Sequence, residues 1–428
     1  RVSSIRDAVA GIGWVSGRTC PGRTVRLMYA WTEEHEMIRA AMKDFIAKEI
    51  IPIRDDLEHG DLPPYDVLRK MYTQFGIAEQ AEATFWKRLE FDKQVAAGEA
   101  DPADRPSRHS GGDAGFSLIP TIELCRQCPG LVTALGVSTG LTASAINGKG
   151  TIAQRERWVP DLLTLRTVGA WAITEPNSGS DAFGSMLATA RPDGDEYVLN
   201  GSKTFITNGQ LANLIIVVTK TDPAAGAKGT SLIVVETDDA EGFERGRNLD
   251  KIGLKSNDTS ELFFNDVRVP TANLLGHEEG LGFVQLMQQL PQERLQIGGS
   301  AIAMIERALA VTIDYVKDRK AFGKAVIEFQ NTQFTLAELK TEATVGRTFY
   351  NFCVAEHLEG RLTPELASMA KYWLSDLQGK VVDQCLQLHG GYGYMNEFPI
   401  ARMFRDARVQ RIYGGTNEIM KLLIARSL

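Results

Sequence analysis

The spacing of apolar residues divides this chain into three parts, because a helical pattern gives way to a strand pattern and then returns. Between about Val168 and Pro270, short runs of β-branched and aromatic residues alternate with Gly, Asn, Asp and Pro, and no helical pattern separates them. Strands that follow one another without intervening helices favour an antiparallel barrel or sandwich and disfavour a parallel Rossmann sheet. We therefore predict an α+β fold with an N-terminal all-α domain, a middle antiparallel β-barrel domain and a C-terminal four-helix bundle.

The predicted domain boundaries follow these changes of period. The length of 428 residues exceeds the roughly 100 to 200 residues of one domain. We assign an uncertain N-terminal extension to residues 1–28, the helical domain to 29–166, the β-barrel to 167–275 and the bundle to 276–428. A polar stretch at about 97–115 lacks the apolar residues needed to order itself, and we predict that it is an exposed insertion.

Hydroxyl residues mark three of the predicted helix starts. Thr32 precedes a run of acids, and Thr363 and Thr416 stand at the start of two helices of the bundle. Such a hydroxyl accepts a hydrogen bond from a free backbone N–H of the first helical turn. Apolar stripes at 302–316 and 334–349 predict two further bundle helices.

The composition of residues 1–27 leaves the location of the protein open. This stretch has five arginines, a single acid and interspersed serines. It is compatible with a mitochondrial transit peptide, although Met28 could equally be the true start. The predicted location is the mitochondrial matrix if the stretch is a transit peptide, and the cytoplasm if the protein is bacterial.

The overall charge and hydropathy argue against two classes of partner. A net charge of −7 and an isoelectric point near 5.6 give no basic surface for nucleic acid or an anionic membrane. No uninterrupted apolar run reaches the roughly 18 residues that a membrane-spanning helix needs. We therefore predict an enzyme without an integral membrane segment and without a nucleic-acid partner.

Two patterns could suggest a metal or redox site, and in both cases we favour another explanation. Cys125 and Cys128 form a CxxC pair, but no second pair or nearby His completes a zinc set. The five cysteines are few and odd in number, which suits a reducing compartment. His109 lies among aspartates in a Pro- and Gly-rich stretch, which favours a solvated loop. We predict no metal site.

The strand region opens with a turn that could bind an anion. Asn177-Ser178-Gly179-Ser180-Asp181 is rich in N–H and hydroxyl donors and could approach a pyrophosphate closely. Alone, such a turn is weak evidence.

Four collinear segments strengthen that interpretation. Trp171–Asp181, Asn200–Gly209, Asp318–Lys324 with Gln330, and 387–393 with 412–418 together resemble the acyl-CoA dehydrogenases, FAD-dependent enzymes that desaturate acyl-CoA thioesters and pass electrons to electron transfer flavoprotein. The resemblance covers most of the chain from Thr32 onward.

The resemblance implies which residues bind the cofactor and the substrate. It assigns Arg294, Ser180 and Gly415 to the acyl-CoA substrate. Because one flavin is contacted by residues of two subunits, it also implies a homotetramer or homodimer. By the same resemblance the FAD contacts are Trp171, Ile173, Thr174, Gly179, Ser180, Phe205, Thr207, Arg319, Phe322, Gln330, Gln387, Gly390, Gly391, Thr416 and Glu418.

The proton acceptor needs a separate argument, because many family members carry the catalytic glutamate where this chain has Gly414. The long-chain and isovaleryl branches have glycine or alanine there and place the glutamate on a bundle helix, where Glu293 falls in this chain. We therefore predict that Glu293 is the catalytic base. Pro291 should interrupt the helix and kink it just before Glu293. Glu175 belongs to the flavin-binding turn and is not expected to be the base.

Two alternatives and the substrate remain open at this point. The chain could be an acyl-CoA oxidase or another flavin oxidase of the same fold, or a flavoprotein that binds nucleic acid or a partner. Small residues around Gly136 and Gly140 could leave a deep acyl cavity, and Gly414 leaves room near the α-carbon. We expect medium to long or branched acyl chains.

Overall fold

The computed structural model describes residues 31–59, 62–106, 116 and 118–428, and it shows the predicted succession of helices, sheet and helices. The predicted extension 1–28 lies outside these residues, as do His109 and the end of the polar insertion. The N-terminal helices are α1 (Glu33–Phe45), α2 (Arg54–His59), α3 (Tyr65–Gln74), α4 (Ile77–Ala96), α5 (Leu118–Cys125), α6 (Pro129–Leu135), α7 (Ser144–Lys149) and α8 (Ile152–Leu163).

The predicted helix caps are all formed. The hydroxyls of Thr32, Thr363 and Thr416 each accept a hydrogen bond from the backbone N–H three residues further on. Helix α4 was not predicted, because Phe85 and Leu89 are the two buried residues among its 20 and the apolar stripe is correspondingly thin. Predicting a helix from the spacing of apolar residues needs a wider apolar stripe than this one.

The described part of the polar insertion is exposed and lies against α4. Arg105 donates to Asp92 over 2.5 Å, and Asp92 also accepts from Arg155 on α8 over 2.7 Å. The two guanidinium groups lower the pKa of the Asp92 carboxyl against the opposing effect of its burial, which is the largest single contribution. Arg105 therefore attaches the insertion to the helical domain through an ion pair with Asp92.

Residues 169–270 are described throughout and form a curled seven-stranded sheet, interrupted by the short helix α9 (Ala182–Ser185). Most neighbours are antiparallel, as predicted, but β1 and β2 both pair with β4 in parallel. Both faces of β4 are buried, which explains its continuous apolar sequence. The strands are β1 (Gly169–Ala172), β2 (Thr189–Asp193), β3 (Glu196–Thr207), β4 (Leu214–Lys220), β5 (Thr230–Glu236), β6 (Phe243–Asn248) and β7 (Thr259–Pro270).

One helical run packs along β1 and joins the first domain to the sheet. It extends from Pro129 to Lys149 through α6, a π-helical segment at Gly136–Ala143, and α7. Among the described residues this run is long and apolar enough to cross a membrane by length and composition, but half of it is buried inside the protein. Ser138 accepts from the Gly169 N–H, and Thr142 donates to the Ala170 carbonyl. A core helix of a globular protein meets the same criterion.

The C-terminal part is built on three long helices. Helix α15, the fourth predicted bundle helix, has nine residues and packs on α13 together with α14. Two short strands, β8 (Lys320–Ala321) and β9 (Lys324–Ala325), form a hairpin between α11 and α12. The helices are α10 (Gly282–Met287), α11 (Leu290–Asp318), α12 (Gln330–Leu358), α13 (Pro364–His389), α14 (Pro399–Ala407) and α15 (Asn417–Ala425).

The interruption before Glu293 differs from the predicted kink. Helix α10 ends at Met287, and a separate helix begins at Leu290. Pro291 lies in the first turn of α11. Backbone N–H groups in a first turn have no acceptor within the helix, so the proline costs no hydrogen bond there. The proline therefore starts a helix rather than bending one, and Glu293 belongs to the first turn of α11.

Candidate active site

Glu293 faces the turn that contains Gly414. Gly414 and Gly415 have φ values of 63° and 87°, which lie in the left-handed region that favours glycine. A Cβ built on Gly414 would lie 3.5 Å from Glu293 Oε1 and would overlap the Ile297 Cδ1 atom. The Glu293 carboxylate therefore reaches the space that a side chain at position 414 would enter.

The surroundings of Glu293 suit a proton acceptor. Its side chain is partly accessible, yet protein atoms surround the carboxylate closely and replace much of its water. This desolvation raises the pKa of the Glu293 carboxyl, while the charges of Arg294 and Lys371 lower it in part. The carboxylate is therefore more basic than an exposed glutamate but retains two nearby cations.

Arg294 is buried beside Glu293, and its guanidinium group keeps a donor that makes no hydrogen bond to the described residues. Its Nη1 donates to Ser368 Oγ over 3.3 Å. Its buried Nε finds no acceptor among the residues that the structure describes. Because a buried unsatisfied donor is costly, this group is well suited to an oxygen atom of a ligand.

Gly140 of the π-helical segment faces α11 one turn beyond Glu293. The position of a Cβ on Gly136 has no atom within 4 Å, and a Cβ on Gly140 would lie 3.8 Å from Gln296 Oε1 on α11. Gln296 is one turn of α11 beyond Glu293. Gly140 thus lies opposite the α11 turn that follows the candidate base, and no side chain or backbone among the described residues fills the position beside Gly136.

The predicted flavin-ring contacts lie at the ends of β1 and β3. Trp171 is on β1, and Ile173 and Thr174 follow it. The Thr204 N–H donates to the Thr174 carbonyl over 2.9 Å, which ties this segment to β3. Gly179 and Ser180 lie in the exposed turn that follows.

Phe205 is held in an unusual conformation at the end of β3. A bulge between Lys203 and Ile206 gives Phe205 a φ of 60°, and 66% of its surface is exposed. A bulky residue with positive φ is strained, and such strain is concentrated at ligand sites. An exposed aromatic ring at this edge, with Thr207 two residues further on, fits the predicted stacking face for a flavin ring. The residues present therefore fit the cofactor that the resemblance implies.

Glu175 is committed to holding this turn. Its carboxylate accepts from Lys203 Nζ over 2.8 Å and from the N–H groups of Leu187 and Ala188 over 2.7 and 3.0 Å. Lys203 Nζ also donates to the Ile173 carbonyl, and burial lowers the pKa of Lys203 to about 8. These contacts give Glu175 a structural role in the surroundings of the turn.

Replacing Lys203 with methionine should destabilise the protein by about 3 to 5 kcal/mol, because it leaves the Glu175 carboxylate buried without its cation. The free energy of unfolding in denaturant measures this loss. The exposed pair of Arg268 and Asp193 provides the control, and Arg268→Met should cost less than about 1 kcal/mol. Equal losses of unfolding free energy in the two variants would contradict a structural role for the buried pair of Lys203 and Glu175.

A second group of predicted residues lines a cavity of about 540 Å³. Arg319, Gln387, Gly390 and Gly391 all border it, together with Tyr392. The Arg319 guanidinium lies 5.5 Å from the centre of the Tyr392 ring. None of the predicted ring contacts on β1 and β3 lines this cavity. The structure of one chain thus presents the candidate cofactor residues in separate groups.

The remaining predicted residues do not line this cavity but lie in two other places. Phe322 is at the tip of the β8–β9 hairpin with a φ of 50° and 95% of its surface exposed, and Gln330 begins α12. Thr416 and Glu418 lie at the start of α15, where the Thr416 hydroxyl is occupied as the helix cap.

Lys371 is a buried charged residue near Glu293 that the sequence analysis missed. It lies in α13 with no accessible surface, and its Nζ donates to the Gly415 carbonyl over 2.7 Å. The available signal was its position in a helical stripe with Ala367, Ala370 and Leu374, all of them buried. A lysine in such a stripe must find a buried partner.

The CxxC pair shows no sign of redox chemistry. Cys125 Sγ donates to Ser300 Oγ over 3.1 Å, whereas Cys128 Sγ donates to Ser256 Oγ over 3.2 Å. Burial raises the pKa of both thiols, which keeps them protonated and unreactive. Within the described residues, no cluster of three or more His, Cys, Asp or Glu side chains could hold a metal ion.

Comparisons with known proteins give matches along most of the chain. The N-terminal, middle and C-terminal domain models of acyl-CoA dehydrogenases match residues 108–166, 170–267 and 280–428. The chain is 42% identical to the rat long-chain specific acyl-CoA dehydrogenase over 402 residues, which are 93% of this chain and 87% of that protein. It is 35% identical to a Bacillus subtilis acyl-CoA dehydrogenase over 399 residues, 93% of this chain and 98% of that one.

A solved structure extends the likeness to three dimensions. The acyl-CoA dehydrogenase from Geobacillus kaustophilus superimposes with a TM-score of 0.82 at 42% identity, over 94% of this chain and 99% of that chain. The three domain matches, the relatives and the arrangement of the candidate site place the chain in the acyl-CoA dehydrogenase family of FAD-dependent oxidoreductases.

Proposed function

We propose that this enzyme removes hydrogen across the α and β carbons of an acyl-CoA thioester and that Glu293 takes the α-proton. The observation that carries the assignment is the 3.5 Å separation between Glu293 Oε1 and the position of a Cβ on Gly414. A carboxylate from α11 thus reaches the place from which other family members supply theirs. When bound, FAD accepts the β-hydrogen as hydride, and electron transfer flavoprotein is the next acceptor.

Three features of the chain serve the proton transfer. Burial makes the Glu293 carboxylate a stronger base than an exposed one, which matches it to a weakly acidic α-carbon. Arg294 offers a buried donor next to the carboxylate. The Gly414–Gly415 turn brings backbone rather than side chains to this point, so the thioester end of the substrate can approach closely.

The residues that would hold FAD divide into two sets. Trp171, Ile173, Thr174, Phe205 and Thr207 would contact the ring, and Gly179 and Ser180 would approach the pyrophosphate. The second set would come from a neighbouring subunit, because its cavity does not include the ring contacts of the same chain. The exposed Phe322 and Arg319 support this arrangement and a homotetramer or homodimer. The members of the second set are Arg319, Phe322, Gln330, Gln387, Gly390 and Gly391, whereas Thr416 and Glu418 lie outside this set at the start of α15, next to the Gly414–Gly415 turn.

The relatives help to choose between the possible activities and between the possible cellular locations of this protein. The acyl-CoA dehydrogenase relatives favour a dehydrogenase over an oxidase or a nucleic-acid-binding flavoprotein. They include mitochondrial and bacterial proteins, so we propose the mitochondrial matrix if residues 1–27 are a transit peptide and the cytoplasm if the source is bacterial.

Medium to long or branched acyl chains are the proposed substrates. Gly140 lies opposite the α11 turn that follows Glu293, and we place the distal part of the acyl chain along this side of the π-helical segment. Three of the relatives are long-chain specific acyl-CoA dehydrogenases of mammals.

Replacing Gly140 with leucine should restrict the enzyme to shorter acyl chains. The new side chain would extend toward Gln296 and occupy the proposed path of the acyl chain, so kcat/KM for a long acyl-CoA should fall by about 10-fold or more, while short chains keep their rates. Anaerobic flavin bleaching across a series of straight and branched acyl-CoA thioesters measures the change.

Gly148→Leu is the matched control, because Gly148 is exposed and lies on the same helical run. It should leave the chain-length profile unchanged. Absence of bleaching with every acyl-CoA would reject the proposed activity, whereas an unchanged profile in Gly140→Leu would reject only the proposed position of the acyl chain.

A further inference from the structure

Lys371 is a fully buried lysine on the inward-facing side of α13. An ammonium group in such a place is costly unless it is hydrogen-bonded and paired. Its Nζ donates to the Gly415 carbonyl over 2.7 Å and to Asn417 Oδ1 over 2.9 Å. The positive charge is therefore held directly against the turn that faces Glu293.

The same network anchors the C-terminal side of the turn. Asn417, the first residue of α15, donates from Nδ2 to Ser375 Oγ and Asp376 Oδ1, both over 2.9 Å. Ser375 and Asp376 lie one turn beyond Lys371 on α13. A pair of glycines has more conformational freedom than any other pair of residues, so this turn needs such an anchor to keep one geometry.

Charged and titratable groups on α11, α13, α15 and the turn surround Lys371 and Glu293. Burial is the largest cause that lowers the pKa of Lys371 to about 8; Arg294 lowers it further, whereas the nearby acids raise it. In return, Lys371 and Arg294 lower the pKa of Glu293 against the effect of its burial. The groups concerned are Glu293 and Arg294 on α11, Lys371 and Asp376 on α13, Glu418 on α15 and Tyr413 in the turn.

We propose that Lys371 is a positioning residue that fixes the Gly414–Gly415 turn against Glu293 and supplies the positive charge that keeps the Glu293 carboxylate ionised. It acts through the backbone of the turn and through the electric field at Glu293, without touching the substrate. This role rests on the proposed function of Glu293 as the base.

Two variants separate the charge from the hydrogen bond. Lys371→Gln removes the charge but keeps a donor for the Gly415 carbonyl, whereas Lys371→Met removes both. Because the base acts in its ionised form, the bleaching rate rises with pH through the pKa of Glu293. Loss of the nearby cation raises that pKa, so both variants should shift the lower midpoint of the anaerobic bleaching rate upward by about 1 pH unit.

At pH values above the midpoint the two variants should differ. Lys371→Gln should approach the rate of the unmodified enzyme, while Lys371→Met should remain about 10-fold or more slower, because its turn is no longer held. Lys380→Met is the matched control. Lys380 lies on the same helix but is exposed and bonded to Glu342, and its loss should move neither the midpoint nor the rate.

An infrared titration of the flavin-loaded enzyme without substrate gives a readout independent of turnover. The protonated carboxyl band that is absent from Glu293→Gln reports on Glu293, and its midpoint should move upward in both Lys371 variants. If Glu293→Gln bleaches normally, the base assignment fails. If it does not bleach but both Lys371 variants titrate like the unmodified enzyme, the role of Lys371 fails.

Folding of the variants is checked through the flavin absorbance and the thermal midpoint. Should both Lys371 variants lose the fold while Lys380→Met keeps it, Lys371 has a structural role only, and the proposal is overturned.

Discussion

Replacing Glu293 with glutamine is expected to slow anaerobic flavin reduction by an acyl-CoA substrate by about 10² to 10⁴-fold. Glutamine keeps the size of the side chain and loses the proton acceptor. The flavin spectrum and the thermal midpoint should change little, because Glu293 lies in the first turn of α11 and makes no ion pair within 4 Å among the described residues.

Gln296→Glu is a useful companion to this variant. It places a carboxylate one turn further along the same helix, where it faces Gly140 rather than Gly414. In a Glu293→Gln background it should not restore the rate, since a general base must lie within hydrogen-bond reach of the proton. Restoration from that position would show that proximity to Gly414 is not what matters.

The base is expected to be movable to position 414. In Glu293→Ala the rate should fall as in Glu293→Gln, and adding Gly414→Glu should recover about 10-fold or more of it. A side chain at 414 starts 3.5 Å from the present position of Glu293 Oε1, so a carboxylate there enters the same space. Recovery should remain incomplete by about 10²-fold, because misplacement by about 1 Å costs a rate factor of that order.

Two features of the turn limit this recovery. A glutamate at φ 63° is strained by about 1 to 2 kcal/mol. Its Cβ would also push on Ile297 Cδ1, which is the end of a flexible side chain and can move. The matched control, Glu293→Ala with Gly414→Gln, carries the same strain without a base. Equal rates in the two double variants would contradict a shared approach to the α-carbon.

The sequence predicted those parts of the fold that depend on local patterns. Thr32, Thr363 and Thr416 cap helices as expected, because a cap needs only a hydroxyl and the next three residues. Strands β4 and β5 were found through their continuous apolar runs. The pairing of β1 with β4 was not, since parallel or antiparallel contact depends on residues that are distant in the chain.

The candidate site shows the same limit. Gly414 and Glu293 were connected through a family pattern, and the structure places their atoms next to each other, although the role of Glu293 is still a prediction. Lys371 escaped notice because a lone lysine in a helix is usually exposed, and its partners, Gly415 and Asn417, are more than 40 residues away. Pro291 was expected to kink a helix, but its effect depends on where the helix starts.

The most direct test of the central claim observes α-proton removal without hydride transfer. An acyl-CoA analogue with sulfur in place of the β-carbon can lose its α-proton but cannot be desaturated, and its anion next to the flavin produces a long-wavelength charge-transfer band. The unmodified enzyme should show this band, Glu293→Gln should not, and Glu293→Ala with Gly414→Glu should regain part of it. A band of full strength in Glu293→Gln at the same pH would contradict the assignment of Glu293 as the base.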